Sequence, residues 1–225
     1  MKTVVVMQPY FIPYAGYFRL FAASDLFVVL DCVQFPRRGW VHRNRLIDRD
    51  GNLQWLTLPL EKGPQQTTLI RDLRFRDDAS AAMLEQSNRF PLFDAPSPAM
   101  RDIMRTILQP AGSVAEHIVT LLDKACAALA LPFNVIRSSE LNIDPDLHGW
   151  RRIAAIARQL GAEVYLNSPG GVDLYNPSDF QGMGLSLQLL APYEGSAASV
   201  LQRLHTDGAQ VVRNEIIRNT TLLSA

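Results

Sequence analysis

The sequence predicts an α/β fold, and three observations carry that reading. Thr3 to Met7 and Leu26 to Leu30 are short apolar, β-branched runs suited to buried strands. Between them, Tyr17, Leu20 and Phe21 recur at helical spacing, so two buried strands are joined by a helix-length crossover, which calls for a parallel sheet. The last third of the chain returns to the same alternation. With 225 residues, 48% hydrophobic and 20% charged, the chain can fill one core and lacks the polarity of a disordered protein. The expectation is one α/β domain over 1–225, with a Rossmann-like parallel sheet, a helical insertion at about 78–131 and a ligand site at the carboxyl ends of the strands.

The elements follow in order. After the first strand comes a loop rich in proline and aromatics, Gln8 to Ala15, and Gly16 opens the helix that runs to Ala23. Asp50-Gly51-Asn52 reads as the turn of a hairpin between Arg45-Leu46-Ile47 and the alternating Leu53, Trp55 and Thr57. Glu61 to Thr68 reads as a polar loop, and Leu69 to Phe75 as a short strand. Helices are expected at Ala79 to Arg89, Pro98 to Gln109 and Ser113 to Leu131, the last with an apolar stripe of Val114, Ile118, Leu121, Leu122 and Ala125. Asn134 to Ile136 reads as a strand, Trp150 to Leu160 as a helix stopped by Gly161, and Glu163 to Leu166 as a strand. A loop from Asn167 to Asn176, a strand at Leu185 to Leu190 and a final helix at Ala197 to Leu204 complete the pattern.

Charge and patterning exclude several classes. Lys and Arg total 22 against 22 Asp and Glu, so there is no global attraction to nucleic acid or anionic lipid, and neither is an expected partner. The longest apolar runs, Leu26 to Leu30 and Ala125 to Phe133, fall far short of the roughly 18 residues of a membrane span. Lys2 is followed by only Val4 to Met7 before Gln8 and Pro9, too short for the core of a signal peptide, so the expected place is the cytoplasm. Cys32 and Cys126 form no CxxC, and the histidines are scattered, so neither a disulfide framework nor a metal site is signalled; both thiols are expected to be buried. His117 reads as structural, and His148 and His205 as exposed. A homodimer is compatible with all of this.

Three constellations could carry chemistry. The first is the loop with Gln8, Tyr10, Tyr14, Gly16 and Tyr17: two prolines stiffen it, Gly16 permits close backbone approach, and a helix start supplies amide donors for an anion. The alternative is an aromatic plug over the sheet edge. The second is the basic stretch of Arg37, Arg38, His42, Arg43 and Arg45 around Trp40 and Asn44, able to clamp phosphate or a sugar carboxylate. On a strand, Arg43 and Arg45 would share one face and Asn44 the other. The third is Asn167, Ser168, Gly170 and Gly171 with Tyr175, where paired glycines admit a ligand and polar side chains reach sugar hydroxyls. Asp31, ending the second strand, is a candidate base or amine positioner, with capping of the turn after the strand as the alternative, and Gln34 a polar positioning residue. Tyr14, Tyr17, Asp31, Arg43 and Arg45 are expected to converge with the Asn167 to Gly171 loop, and no metal ligands are among them.

The run from Val6 to Phe18, then Asp31-Cys32-Val33-Gln34-Phe35 and Arg38-Gly39-Trp40-Val41-His42-Arg43-Asn44-Arg45 resembles the WbqC-like protein family. Leu160-Gly161-Ala162 to Tyr165, Asn167 to Gly171 with Tyr175, and Ser199 to Gly208 agree. The resemblance implies a protein of bacterial O-antigen or related polysaccharide biosynthesis. Its implied activity is that of a transferase or ligase joining glycine or another amino acid to a nucleotide-linked sugar through an amide or acyl linkage. The loop Pro13-Tyr14-Ala15-Gly16-Tyr17 is also distantly similar to the HxGH signature of the nucleotidylyltransferase and pantothenate synthetase superfamily, which implies a HUP-like sheet and makes ATP with Mg²⁺ a candidate cofactor. Tyrosines stand where that signature has histidines, and a neutral tyrosine donates one hydrogen bond but cannot become cationic. The resemblance therefore leaves two further readings: a non-catalytic sugar-nucleotide or glycan binder, and a nucleotidylyltransferase with a tyrosine-substituted motif.

Overall fold

The computed structural model describes residues 1–61, 67–171 and 175–224. Its main sheet has six strands in the order β5-β2-β1-β6-β7-β8. These are β1 (Thr3–Met7), β2 (Leu26–Val29), β5 (Val135–Arg137), β6 (Val164–Asn167), β7 (Ser186–Leu190) and β8 (Leu222–Ser224). The first five are parallel, and β8 runs antiparallel to β7. The expected neighbours β1 and β2 pair from Val4 with Leu26 to Met7 with Val29. The chain builds outward from β1 through β2 to β5, then returns to the other side of β1 with β6 and β7. The strand order thus reverses at β1, which opens a crevice at the carboxyl ends, and the architecture is the mostly parallel, Rossmann-like α/β sheet that was expected.

Because the β1 side chains alternate, Val5 joins one core while Val4 and Val6 join the other. The larger core packs helices α1 (Ala15–Ala22), α4 (Val114–Ala128), α7 (Val200–Thr206) and α8 (Ala209–Arg218) through Phe18, Phe21, Ile118, Leu201 and Ile216. The smaller one packs α5 (Gly149–Gln159) and α6 (Pro177–Gln181) through Ile153, Ile156 and Phe180 against Tyr165. Strands β3 (Arg43–Ile47) and β4 (Leu53–Thr57) form a separate antiparallel hairpin, whose turn places Gly51 at φ 82°. Helices α2 (Ala79–Ser87), α3 (Pro98–Leu108) and α4 follow it, α4 starting at a capping box between Ser113 and Glu116. No helix among the described residues is long and apolar enough to cross a membrane.

Three expectations are corrected. Leu69 to Phe75 holds a 3₁₀ turn at Ile70–Asp72 instead of a strand; Leu69 and Phe75 make single bridges to Gln34 and Leu60, and Ile70 N and Arg71 N donate to Val33 O and Asp31 O. Its buried residues, Ile70 and Leu73, are three apart, the repeat of a 3₁₀ turn. The helix expected at Ala197 to Leu204 starts at Val200, capped by Ser199, and is not the last element: Gly208, at φ 82°, turns the chain into α8 and β8. Only Val212 and Ile216 of α8 are buried, too thin an apolar stripe to stand out in the sequence. Cys32 is half-buried, unlike the fully buried Cys126. The loop expected at Glu61 to Thr68 falls largely on residues 62–66, outside the described residues.

Candidate ligand site at the carboxyl ends of the strands

The loop leaving β1 is built around a strained residue. Ile12 has φ 41°, a left-handed backbone that a β-branched residue adopts only when its surroundings impose it. Asn44 Nδ2 donates to the Phe11 carbonyl at 3.1 Å and to that of Ile12 at 2.7 Å, and Ser199 Oγ donates to Ile12 O at 2.7 Å. Phe11 N donates to Trp40 O at 2.9 Å and Val200 N to Pro13 O at 2.7 Å, so the hairpin and α7 grip the loop from two sides.

These contacts shape a cavity of about 210 Å³ walled by Tyr10, Tyr14, Trp40, Asn44 and Arg45, with Pro13 and Ala197. Alternation along β3 buries Asn44 and turns Arg43 and Arg45 outward together, as expected. The Arg43 guanidinium lies 4.2 Å from the Trp55 ring; that of Arg45 lies 5.6 Å from Trp55 and 5.8 Å from Trp40, whose rings are 5.5 Å apart. Among the described residues no carboxylate forms an ion pair with either arginine, so the ladder of rings carries unneutralised positive charge. Burial, reinforced by Tyr14, raises the Tyr10 phenol above its ordinary value and keeps it a hydrogen-bond donor.

Other predicted residues lie elsewhere. Tyr17 is buried in the core, its hydroxyl donating to Gln8 O at 2.8 Å; burial holds the phenol well above its usual range. The close approach that Gly16 permits is taken up within the chain: a Cβ there would stand 2.2 Å from the Tyr14 ring and 2.8 Å from that of Tyr193. His42 packs edge-on to Phe35, and burial, then Arg43, lowers it to about 4, so it is neutral at pH 7. Arg38 lines a shallow cleft with Gln34 and Phe35.

Asp31 is fully buried and accepts hydrogen bonds from Ser138 Oγ at 2.9 Å, Ser139 N at 2.9 Å and Ser139 Oγ at 2.6 Å. At the end of β6, Asn167 is buried with Oδ1 accepting from Ser168 N at 2.8 Å. A Cβ on Gly171 would meet Asn167 Nδ2 at 2.0 Å, whereas Gly170 is open; Tyr175 packs against Tyr165 and Phe180. Residues 172–174 of this loop are outside the described residues. The structure thus gathers Tyr10, Tyr14, Trp40, Asn44 and Arg45, keeps Arg43 beside them, and places Tyr17, Asp31 and the Asn167 to Gly171 loop off that wall. Tyr193 beside Tyr14, and Ser138, Ser139 and Arg152 around Asp31 and Cys32, were passed over by the sequence reading; for the second group Ser138-Ser139, directly after a short strand, was the available signal.

The match to known proteins covers most of this arrangement: the family model of the WbqC-like proteins matches residues 8–195, which leaves Ala197, Ser199 and Val200 outside it. The chain belongs to the WbqC-like protein family. It is also 43% identical over 61 residues to the uncharacterized protein Rv1507c of Mycobacterium tuberculosis (strain ATCC 25618 / H37Rv), covering 27% of this chain and 26% of that protein. The chain therefore matches about a quarter of that relative's length. No solved structure matches. In this WbqC-like chain the family match begins at Gln8, where the strained loop starts. It ends at Gly195, where a Cβ would collide with Tyr193 and Glu215.

Proposed function

We propose that this WbqC-like protein is a transferase or ligase of bacterial polysaccharide biosynthesis, O-antigen included. It seats one ring of a nucleotide-linked sugar and the adjoining anion in the Tyr10–Tyr14–Trp40–Arg45 cavity, the rest of the ligand lying outside it, and joins that sugar to glycine or another amino acid by an amide or acyl linkage. The observation that supports this most is the cavity itself: aromatic rings offer flat faces to a base or a sugar ring, and Arg45, without a carboxylate partner, offers its fork to a phosphate or uronate. Asn44 and Tyr17 act as positioning residues that hold the loop through its carbonyls. The start of α1 does not fit a bound ATP: the Tyr17 hydroxyl is engaged by Gln8 and the space over Gly16 is filled by Tyr14 and Tyr193, so no step is routed through a nucleotide triphosphate there. The reading places the reaction in the cytoplasm, where nucleotide-linked sugars are made.

Titration calorimetry with uridine-diphosphate glucuronate and related uronic-acid nucleotides tests it, beside mass-spectrometric detection of a glycine adduct. Arg45→Met is expected to weaken binding roughly tenfold or more, the worth of a charge-assisted bond. Absence of binding to every nucleotide-linked sugar would reject the proposal. A non-catalytic glycan binder is the second reading, favoured by the internal use of the Tyr17 hydroxyl and the Asp31 carboxylate; it predicts the same binding loss with no product.

A further inference from the structure

A second cleft, of about 500 Å³, opens at the carboxyl ends of β2 and β5, within the size range of small-molecule sites. Cys32, the residue after the buried Asp31, lies in its wall with Ser138, Arg71, His148 and Arg152. The Cys32 sulfur has two polar neighbours at 3.0 Å. One is Arg152 Nη1, which donates to it. The other is Ser138 Oγ, which in turn gives its own proton to Asp31 Oδ1 at 2.9 Å.

Neither of the two charges on either side of this sulfur is in direct contact with an opposite one, and Arg137 stands close enough to Asp31 to feel its charge. Arg152 spends its remaining donors on the carbonyls of Leu147 at 2.7 Å, Pro145 at 2.8 Å and Cys32 at 3.2 Å, and Asp31 is held by serine hydroxyls and an amide. Neither forms a salt bridge among the described residues. A structural ion pair would bring carboxylate and guanidinium into contact; here a serine and a thiol are placed between them, which costs stability and gains a proton acceptor on one side of the sulfur and a cation on the other.

We propose that Cys32 is a nucleophile of this cleft, accepting an acyl group from an activated carboxylic derivative such as an ester or acyl phosphate. The sulfur attacks the carbonyl carbon and a C–S bond forms. The C–O bond to the leaving group breaks, and its oxygen departs with the electron pair. The thiol proton passes to Ser138 Oγ as the Ser138 proton moves to Asp31. Arg152 stabilises the negative charge that builds on sulfur, and Ser138 and Asp31 are positioning and relay residues. This does not rest on the sugar-nucleotide reading, since it concerns a different cavity, and its test needs no sugar.

The probe is p-nitrophenyl acetate on the 225-residue chain, following p-nitrophenolate release and locating the acetyl group by peptide mass mapping. Native Cys32 is expected to acylate roughly tenfold faster than the same residue in urea-unfolded protein, with Cys126 silent in the native state. Cys32→Ala should abolish the burst, and Arg152→Met and Ser138→Ala should remove the native advantage. Arg152→Lys, which keeps the charge and loses the carbonyl hydrogen bonds, should keep part of it. Acylation of native Cys32 no faster than in urea would overturn the proposal, as would an unchanged rate in Arg152→Met. The native-to-unfolded ratio of the unmutated chain decides even where a variant does not fold.

Discussion

His117, in the first turn of α4, shows how a single side chain sets a pH limit. Its ring is buried against Phe75 with Nε2 lacking a hydrogen-bond partner, and burial lowers it from 6.5 to about 4. Between those values the unfolded chain binds a proton that the folded chain refuses, so stability is flat above about 6.5 and falls as the pH drops toward 4. His42, held to about 4 by burial and Arg43, supplies part of the same slope. His117→Leu keeps the bulk and removes the unpartnered nitrogen. Chemical denaturation at pH 5 and pH 8 should show the variant gaining about 1 kcal/mol or more at the lower pH, with a shallower dependence between them. An unaltered slope would mean that the imidazole is not buried neutral.

At the scale of the element, α1 inverts an ordinary rule. Glycine inside a helix is worse than alanine by about 0.5–1 kcal/mol, yet Gly16→Ala should destabilise this protein, because the added methyl would press into the Tyr14 and Tyr193 rings. A thermal melt measures that sign, and calorimetry should show weaker ligand binding because Tyr14 walls the cavity. Much of this level was legible in the sequence. The apolar runs of β1 and β2, the residue types of the Asp50-Gly51-Asn52 turn and the helical period of the Val114-to-Ala125 stripe each announced their element, and the outward pairing of Arg43 with Arg45 followed from β3 alone. What period could not supply is which partner fills a space. The room above Gly16 looked like a ligand's and belongs to Tyr193, some 177 residues away by chain number. Asp31 read as a candidate base, an amine positioner or a turn cap, and its hydroxyl partners arrive from beyond β5. Thin stripes such as that of α8 leave no trace until the tertiary fold has placed them.

For the whole molecule, Arg19 is the residue that joins beginning to end. It is fully buried, and Nη1 donates to Ala191 O after β7 at 2.9 Å and to Asn219 O at the end of α8 at 2.8 Å. Nε donates to Gly16 O at 3.2 Å, and the guanidinium stacks 5.1 Å from Tyr193. The cation also faces the carbonyl end of α8, where the helix dipole favours it. Arg19→Met fills similar volume and leaves the three carbonyls without that donor. Urea denaturation should register a loss of about 3 kcal/mol or more, and Arg19→Lys, with one point charge, should recover only part of it. A loss below about 1 kcal/mol would show that water replaces the guanidinium.

The same joint bears on how the chain can be divided. The segment that defines kinship with the WbqC-like proteins stops at residue 195, but the carbonyl of Asn219, the Glu215 that receives the Tyr193 hydroxyl, and the strand that covers β7 all come later. A fragment trimmed to the family match would expose the edge of β7, strand Tyr193 without its acceptor and leave the buried Arg19 without the Asn219 carbonyl. Inheritance and foldability are bounded differently here: the part of the chain that marks its descent is shorter than the part that must be present for that descent to have a shape.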